Sequence, residues 1–326
     1  MLTYIIRRIL WSIPVVLLII FVTFSMARSL PGGPFDRVGD RSLPDSVREN
    51  LEAKYNLDKP FMQQFTTYVA DVLKGDLGPS FTARGRSVND IIGQTLPISA
   101  QLGLLSILLG AAIGIPAGIF AALNRNTWID YSSSVVSVIG LSIPNIVLAP
   151  LLIFVFGVHL DWFPTARWAV NYRELAFGLF PPLNELGDFF LHAALPVITL
   201  GTGIAASFSR LTRGSLLQTI REDYIRTARA KGLRRNMVIV RHALRNSLIP
   251  VVTIFGPLFA GLITGTFVVE RFFAIPGMGE YFINSVGNRD YPVVLGTTLI
   301  YSVILIGANL FVDIAYAWID PRIRYD

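Results

Sequence analysis

Side chains able to carry acid–base, nucleophilic or metal chemistry are sparse in this sequence and do not gather into a set. There is no Cys, which excludes disulfides, thiolate metal sites and cysteine nucleophiles. The three histidines, His159, His192 and His242, are dispersed, with no acidic or histidine neighbour read at metal-ligand spacing, which argues against a zinc site. No serine–histidine–acid set emerges. No Gly-x-x-x-x-Gly-Lys-Ser/Thr phosphate loop occurs, so the chain does not hold a nucleotide by that route. In the last apolar run Asp313 follows Asn309 by one helical turn. An ionisable group there could line a path, but Asp313 lies about two turns before Asp320, so an interfacial or packing role competes. Glu270 and Arg271, at the end of another apolar run, read as interfacial anchors. What remains is charge: ten basic residues from Arg210 to Arg245 against two acidic ones, Glu222 and Asp223.

The elements that position these residues follow from composition. Of 326 residues, 52% are hydrophobic and 15% charged, against about 25% charged in soluble domains. A helix crosses the hydrocarbon with roughly 20 apolar residues. Six charge-free runs are long enough: Arg8 to Arg28, Asp90 to Arg125, Asp130 to Asp161, Asp188 to Arg210, Arg245 to Glu270 and Asp290 to Asp313. The first is too long for the apolar core of a secretory signal and reads as a retained anchor. The basic stretch between the fourth and fifth runs faces the cytoplasm by the positive-inside rule. Spans are then expected at 9–28, 96–124, 131–158, 190–210, 247–269 and 293–318, with a cytoplasmic N-terminus (1–8), loop (211–246) and tail (319–326). An extracytoplasmic helical segment (29–95) and extracytoplasmic loops (159–189, 270–292) complete the division. Pro44 to Asn56 and Pro60 to Lys74 each read as a short helix, the second with Phe61, Phe65, Tyr68, Val69 and Val72 at helical spacing.

Small residues four apart (Gly110, Gly114 and Gly118; Gly201, Ala205 and Ser209; Gly261 and Gly265) fit close helix packing, within this chain or against a partner. Pro116, Pro144, Pro150, Pro196 and Pro257 imply kinks.

Within the basic loop, Thr219 and Glu222 are spaced as a capping box. Glu222 and Asp223 fall in a first turn, Arg229 and Lys231 in a last turn, and Gly232 follows as a C-terminal cap. A second helix is expected from Asn236, with Met237, Val240, Leu244 and Leu248 on one face. On the first helix Tyr224, Thr227, Ala228 and Lys231 share a face suited to a protein partner, flanked by Arg226, Arg229 and Arg234. The competing reading is a basic loop lying on anionic lipid.

The segment RTARAKGLRRNMVIVRHALRNSLIP, Arg226 to Pro250, resembles the Glu-Ala-Ala loop of permease subunits of bacterial ATP-binding-cassette importers, in its dipeptide and oligopeptide variant. Arg226 and Thr227 replace the Glu and first Ala, while Ala228, Gly232 and Pro250 match. EAKYNLDKP (Glu52 to Pro60), GDLGPSF (Gly75 to Phe81), IPGMGEYF (Ile275 to Phe282), NRDYPVV (Asn288 to Val294) and DPRIRY (Asp320 to Tyr325) are similar to B-type subunits of oligopeptide permeases. The loop from Leu160 to Phe189 is longer than in that family.

The resemblance implies an all-α membrane protein of the type I ABC importer permease fold, with six transmembrane helices and no catalytic site. It implies a heterodimer with a second homologous permease, two cytoplasmic ATPases that bind ATP and Mg, an extracytoplasmic peptide-binding protein and a peptide substrate. Tyr224, Arg226, Thr227, Ala228, Arg229, Lys231, Gly232 and Arg234 would form the ATPase-coupling surface. No cofactor or nucleic acid is expected on this chain. Sister systems carry dipeptides, nickel, glutathione or antimicrobial peptides. An ion-coupled secondary transporter is the rival, disfavoured because no internal repeat appears and the spans carry almost no charge.

Overall fold

Ser87 starts the longest helix. Its hydroxyl accepts from Asp90 N–H while the Asp90 carboxylate accepts from Ser87 N–H, both at 3.1 Å, a reciprocal cap that satisfies two orphan donors. From there α4 (Val88–Leu123) runs 36 residues without a charge after Asp90. In the computed structural model, which describes residues 2–29, 34–35, 44–83, 85–168 and 185–319, it is one of five helices long and apolar enough to cross a membrane. The others are α1 (Leu2–Ser29), α7 (Leu186–Thr219), α11 (Ile249–Ile263) continued after a break by α12 (Phe267–Phe272), and α14 (Tyr291–Ile319). The sixth apolar run is no straight rod. α5 (Trp128–Ser142) and α6 (Asn145–Leu152), the latter extended by a π-helical turn at Ile153–His159, meet at 99°. Pro144 removes a donor and drives Ile143 out of the helical region, to φ −84° and ψ 113°. Among the described residues there is no β-strand, only an isolated bridge between Pro79 and Ser87.

Glycine sets the central contact. A Cβ on Gly114 would stand 2.3 Å from the Ala205 carbonyl oxygen, and one on Gly118 would stand 2.5 Å from that of Ser209. Gly110 meets Ile204 in the same way, so α4 and α7 run parallel with their backbones nearly touching. These two small-residue rows are therefore spent within the chain; Gly261, by contrast, has open space at its Cβ position. α5 lies on α7 through Gly140 against Thr202 and Ala206. α11 packs on α14, where Gly256 admits Asn309.

Two short helices follow α1, as expected: α2 (Asp45–Lys54) and α3 (Phe61–Leu73). The apolar stripe of α3 covers the end of α1, with Phe61 and Phe65 edge-on to Phe21 and Phe24 at 5.2–6.0 Å between ring centres. Tyr68, beside Phe24, is buried deeply enough to raise the pKa of its hydroxyl. Much of the long loop after α6 lies outside the described residues. Its start is anchored by Trp168, which donates to Gln101 on α4 at 2.9 Å.

Candidate functional site

The basic stretch folds as a hairpin keyed into the ends of α4 and α7. α8 (Asp223–Ala230) is capped by backbone alone at its start. Glu222 occupies the N-cap without a side-chain bond, and Thr219 is still the last residue of α7, so the expected capping box does not form. Its end is the expected one. Gly232 adopts φ +75°, its N–H donates to Arg229 O at 2.9 Å, and Leu233 N–H reaches Ala228 O at 3.4 Å, the pattern of a Schellman close.

Ile225 and Ala228 point inward, into a cluster with Ala122 of α4, Leu216 of α7, Val238 and Ala243. Ala228 is 6% exposed, which corrects its placement on a partner-facing surface. Its small side chain serves close packing inside the chain. Tyr224, Arg226, Thr227, Arg229, Lys231, Gly232 and Arg234 are exposed as expected. Tyr224 accepts from Asn246 at 2.9 Å, tying the two arms of the hairpin. Arg226 pairs with Asp223 at 3.4 Å.

The second arm departs from the expected face. α9 (Arg235–Met237), a π-helical turn (Val238–Ala243) and α10 (Leu244–Ser247) bury Val238, Ile239, Ala243 and Ser247, whereas Met237 and Val240 are exposed. A π turn adds a residue per turn, so positions computed at 3.6 rotate off the buried side.

Beneath the hairpin lies a pair not singled out from the sequence. Asp130 of α5, 1% exposed, accepts from Arg213 Nε at 2.5 Å and from a second Arg213 nitrogen at 2.8 Å, with Asn126 N–H adding a third bond at 3.0 Å. The arrangement is a two-point fork, joining the start of α5 to the last third of α7.

Two buried carboxylates organise the opposite end. Glu270 is fully buried, not an interfacial anchor. It accepts from Ser99 Oγ at 2.8 Å, Thr266 N–H at 3.1 Å and Glu280 N–H at 3.1 Å, and so caps α13 (Met278–Gly287) from α12. The glycines of IPGMGEYF make room: a Cβ on Gly277 would lie 2.3 Å from Glu270 Cδ. Arg271 does sit at the surface, paired with Glu280 at 2.8 Å. Asp290, also fully buried, accepts from the hydroxyl of Ser80, from Phe81 N–H and from both the N–H and hydroxyl of Thr82. The motifs GDLGPSF and NRDYPVV are thereby one structural unit.

Asp313 binds the first helix, accepting from Tyr4 OH at 3.0 Å and pairing with Arg8 at 3.1 Å, so its observed partners are those of helix packing. Asn309 sits where α14 meets Gly256. His192 has an acidic neighbour after all, Asp188 one turn earlier at 3.3 Å. Among the described residues no group of three metal-binding side chains forms.

A family model described as the binding-protein-dependent transport system inner membrane component matches residues 114–325, and the N-terminal model of the same kind of protein matches residues 1–102. The chain belongs to this family. The permease is 42% identical over 322 residues to the dipeptide transport system permease protein DppB of Bacillus subtilis, covering 98% of this chain and 97% of that one. It is 42% identical over 325 residues to the oligopeptide transport system permease protein OppB of Salmonella typhimurium, covering 100% of both. A solved amino acid ABC transporter with histidines aligns at 15% identity and TM-score 0.49, over 69% of the permease and 92% of that chain. It is a multi-pass membrane protein of the ABC importer permease type, and the resemblance read from its motifs holds over its whole length.

Proposed function

We propose that this permease forms half of the translocation pore of a bacterial oligopeptide importer, and that its basic hairpin is the handle gripped by a separate ATPase. The observation that carries the reading is the hairpin itself, closed at Gly232, tied across by Tyr224 and Asn246, and keyed through Ile225 and Ala228 to α4 and α7. A force applied to the exposed face of α8 passes through packed side chains to two long helices. The ATP and Mg belong to partner ATPases, and this chain carries no catalytic site of its own. A second homologous permease completes the pore, and an extracytoplasmic binding protein delivers the peptide. The protein resides in the inner membrane, with the hairpin and both termini cytoplasmic and α2, α3 and α13 outside.

Oligopeptides are favoured by the full-length match to OppB, and the equal identity to DppB makes dipeptides the second reading. The native chain has no Cys, so single-cysteine probes need no prior substitutions. Thr227→Cys, on the exposed face of α8, should crosslink to an ATPase chain in intact membranes. Capture of lipid alone would defeat the proposal. Uptake of labelled peptides of graded length separates the substrate readings.

A further inference from the structure

Behind α8, at the ends of α4 and α7, is a cavity of about 240 Å³ lined in part by arginine. Arg125 follows the end of α4, Arg221 follows the end of α7, Arg229 comes from the last turn of α8 and Arg235 opens α9. Four segments thus contribute four arginines to one lining, and no acidic residue belongs to it. None of the four makes an ion pair among the described residues. Of the nearby acids, Asp130, within electrostatic reach of Arg125, is held by Arg213, Asp223 pairs with Arg226, and Glu222, next to Arg221, is exposed outside the lining. The floor is apolar, with Leu217 and Val238 among its residues.

Like charges assembled without an ion-pair partner repel one another, and Arg is the side chain best matched to phosphate oxygens. We propose that this cavity is a binding site for the phosphate ester of an anionic amphiphile, a membrane phospholipid whose headgroup enters among the arginines while its glycerol end rests on the apolar floor. The apolar floor favours an amphiphile over a protein acid. Leu123 and Thr219 end α4 and α7, and the four arginines come from the segments that follow them. Such a lipid would wedge between α8 and the ends of α4 and α7, and would set the stiffness of the hairpin. The site is a feature of this chain whichever protein grips the outer face of α8.

The test uses the importer extracted whole in mild detergent and offered phosphatidylglycerol, phosphatidylcholine or soluble glycerol-3-phosphate, with bound adducts read by native mass spectrometry. Phosphatidylglycerol should bind saturably and phosphatidylcholine should not. The double variant Arg221→Gln/Arg235→Gln should lose retention by about tenfold or more, and Arg221→Lys/Arg235→Lys should keep most of it. The same spectra report whether each variant is assembled. If the Gln pair fails to assemble, Arg125→Gln, in the loop after α4, carries the same expectation at reduced size. Arginine-dependent binding of glycerol-3-phosphate without phosphatidylglycerol would reassign the site to a soluble ester and overturn the lipid. Equal adducts of the two lipids, or undiminished phosphatidylglycerol on the Gln variants, would overturn the site.

Discussion

Arg213 on α7 holds Asp130 on α5 by two nitrogen–oxygen contacts of 2.5 and 2.8 Å, across 83 residues of sequence. The pair fixes the first turn of α5 to the helix that ends in the basic hairpin. Because Asp130 is buried and Arg213 about one-third exposed, removing one partner leaves a poorly solvated charge.

Asp130→Ala should therefore lower stability by about 2–4 kcal/mol. Asp130→Ala/Arg213→Ala should cost less than the sum of its parts, a coupling that thermal unfolding of the four proteins in detergent measures as a double-mutant cycle. Additive losses would mean that the two side chains do not act together.

Gly277→Ala should be more damaging than an ordinary glycine substitution, because the new Cβ would fall 2.3 Å from Glu270 Cδ. Glu270→Gln keeps the shape of the cap but weakens its acceptor, at about 1–3 kcal/mol. Protease sensitivity of the 275–282 segment in membrane vesicles should rise in both, and more in Gly277→Ala.

Gly232→Val should uncouple import while leaving membrane insertion intact. A β-branched residue at φ +75° is strained, and the close of α8 would rearrange. Peptide uptake should fall severalfold at equal membrane abundance; normal uptake would show that the end of α8 does not need this geometry.

Asp313→Asn should leave transport close to normal. Its ion pair with Arg8 is half exposed on the arginine side and worth at most about 1 kcal/mol. Loss of uptake in a well-folded Asp313→Asn protein would place this carboxylate in the translocation path instead.

Gly114→Leu should abolish accumulation of the folded protein, since the side chain has no room between α4 and the Ala205 carbonyl 2.3 Å from the Cβ position. Gly261→Leu, where no atom lies within 4 Å of the added Cβ, should fold and insert; failure to assemble with a second permease would mark that face as a partner contact.

The long helices were legible because an apolar run without charge has few ways to satisfy its backbone in lipid. Gly232 was legible too, since a glycine after a basic last turn is the local signature of a helix close. The inward turn of Ala228 was not, because a small side chain suits both a core and an approaching partner. Met237 and Val240 were grouped with Leu244 and Leu248 on one face by a 3.6-residue period that the π turn at Val238–Ala243 breaks. Glu270 looked interfacial beside Arg271 at the end of an apolar run; its hydroxyl donor, Ser99, lies 171 residues away. Asp130 was visible only as a boundary charge and Arg213 only as one of ten basic residues, and nothing local joins them.

The glycine seam between α4 and α7 has a mechanical corollary. Backbones in direct contact have no side-chain cushion to slide on, so the two helices are expected to travel as one beam. Any alternation between an outward and an inward opening is then accommodated where the chain is already jointed: at the elbow before Pro144, and at the step between α11 and α12 where Gly265 takes φ +108°. A stiff beam would then deliver the stroke, and the two joints would decide where it is felt.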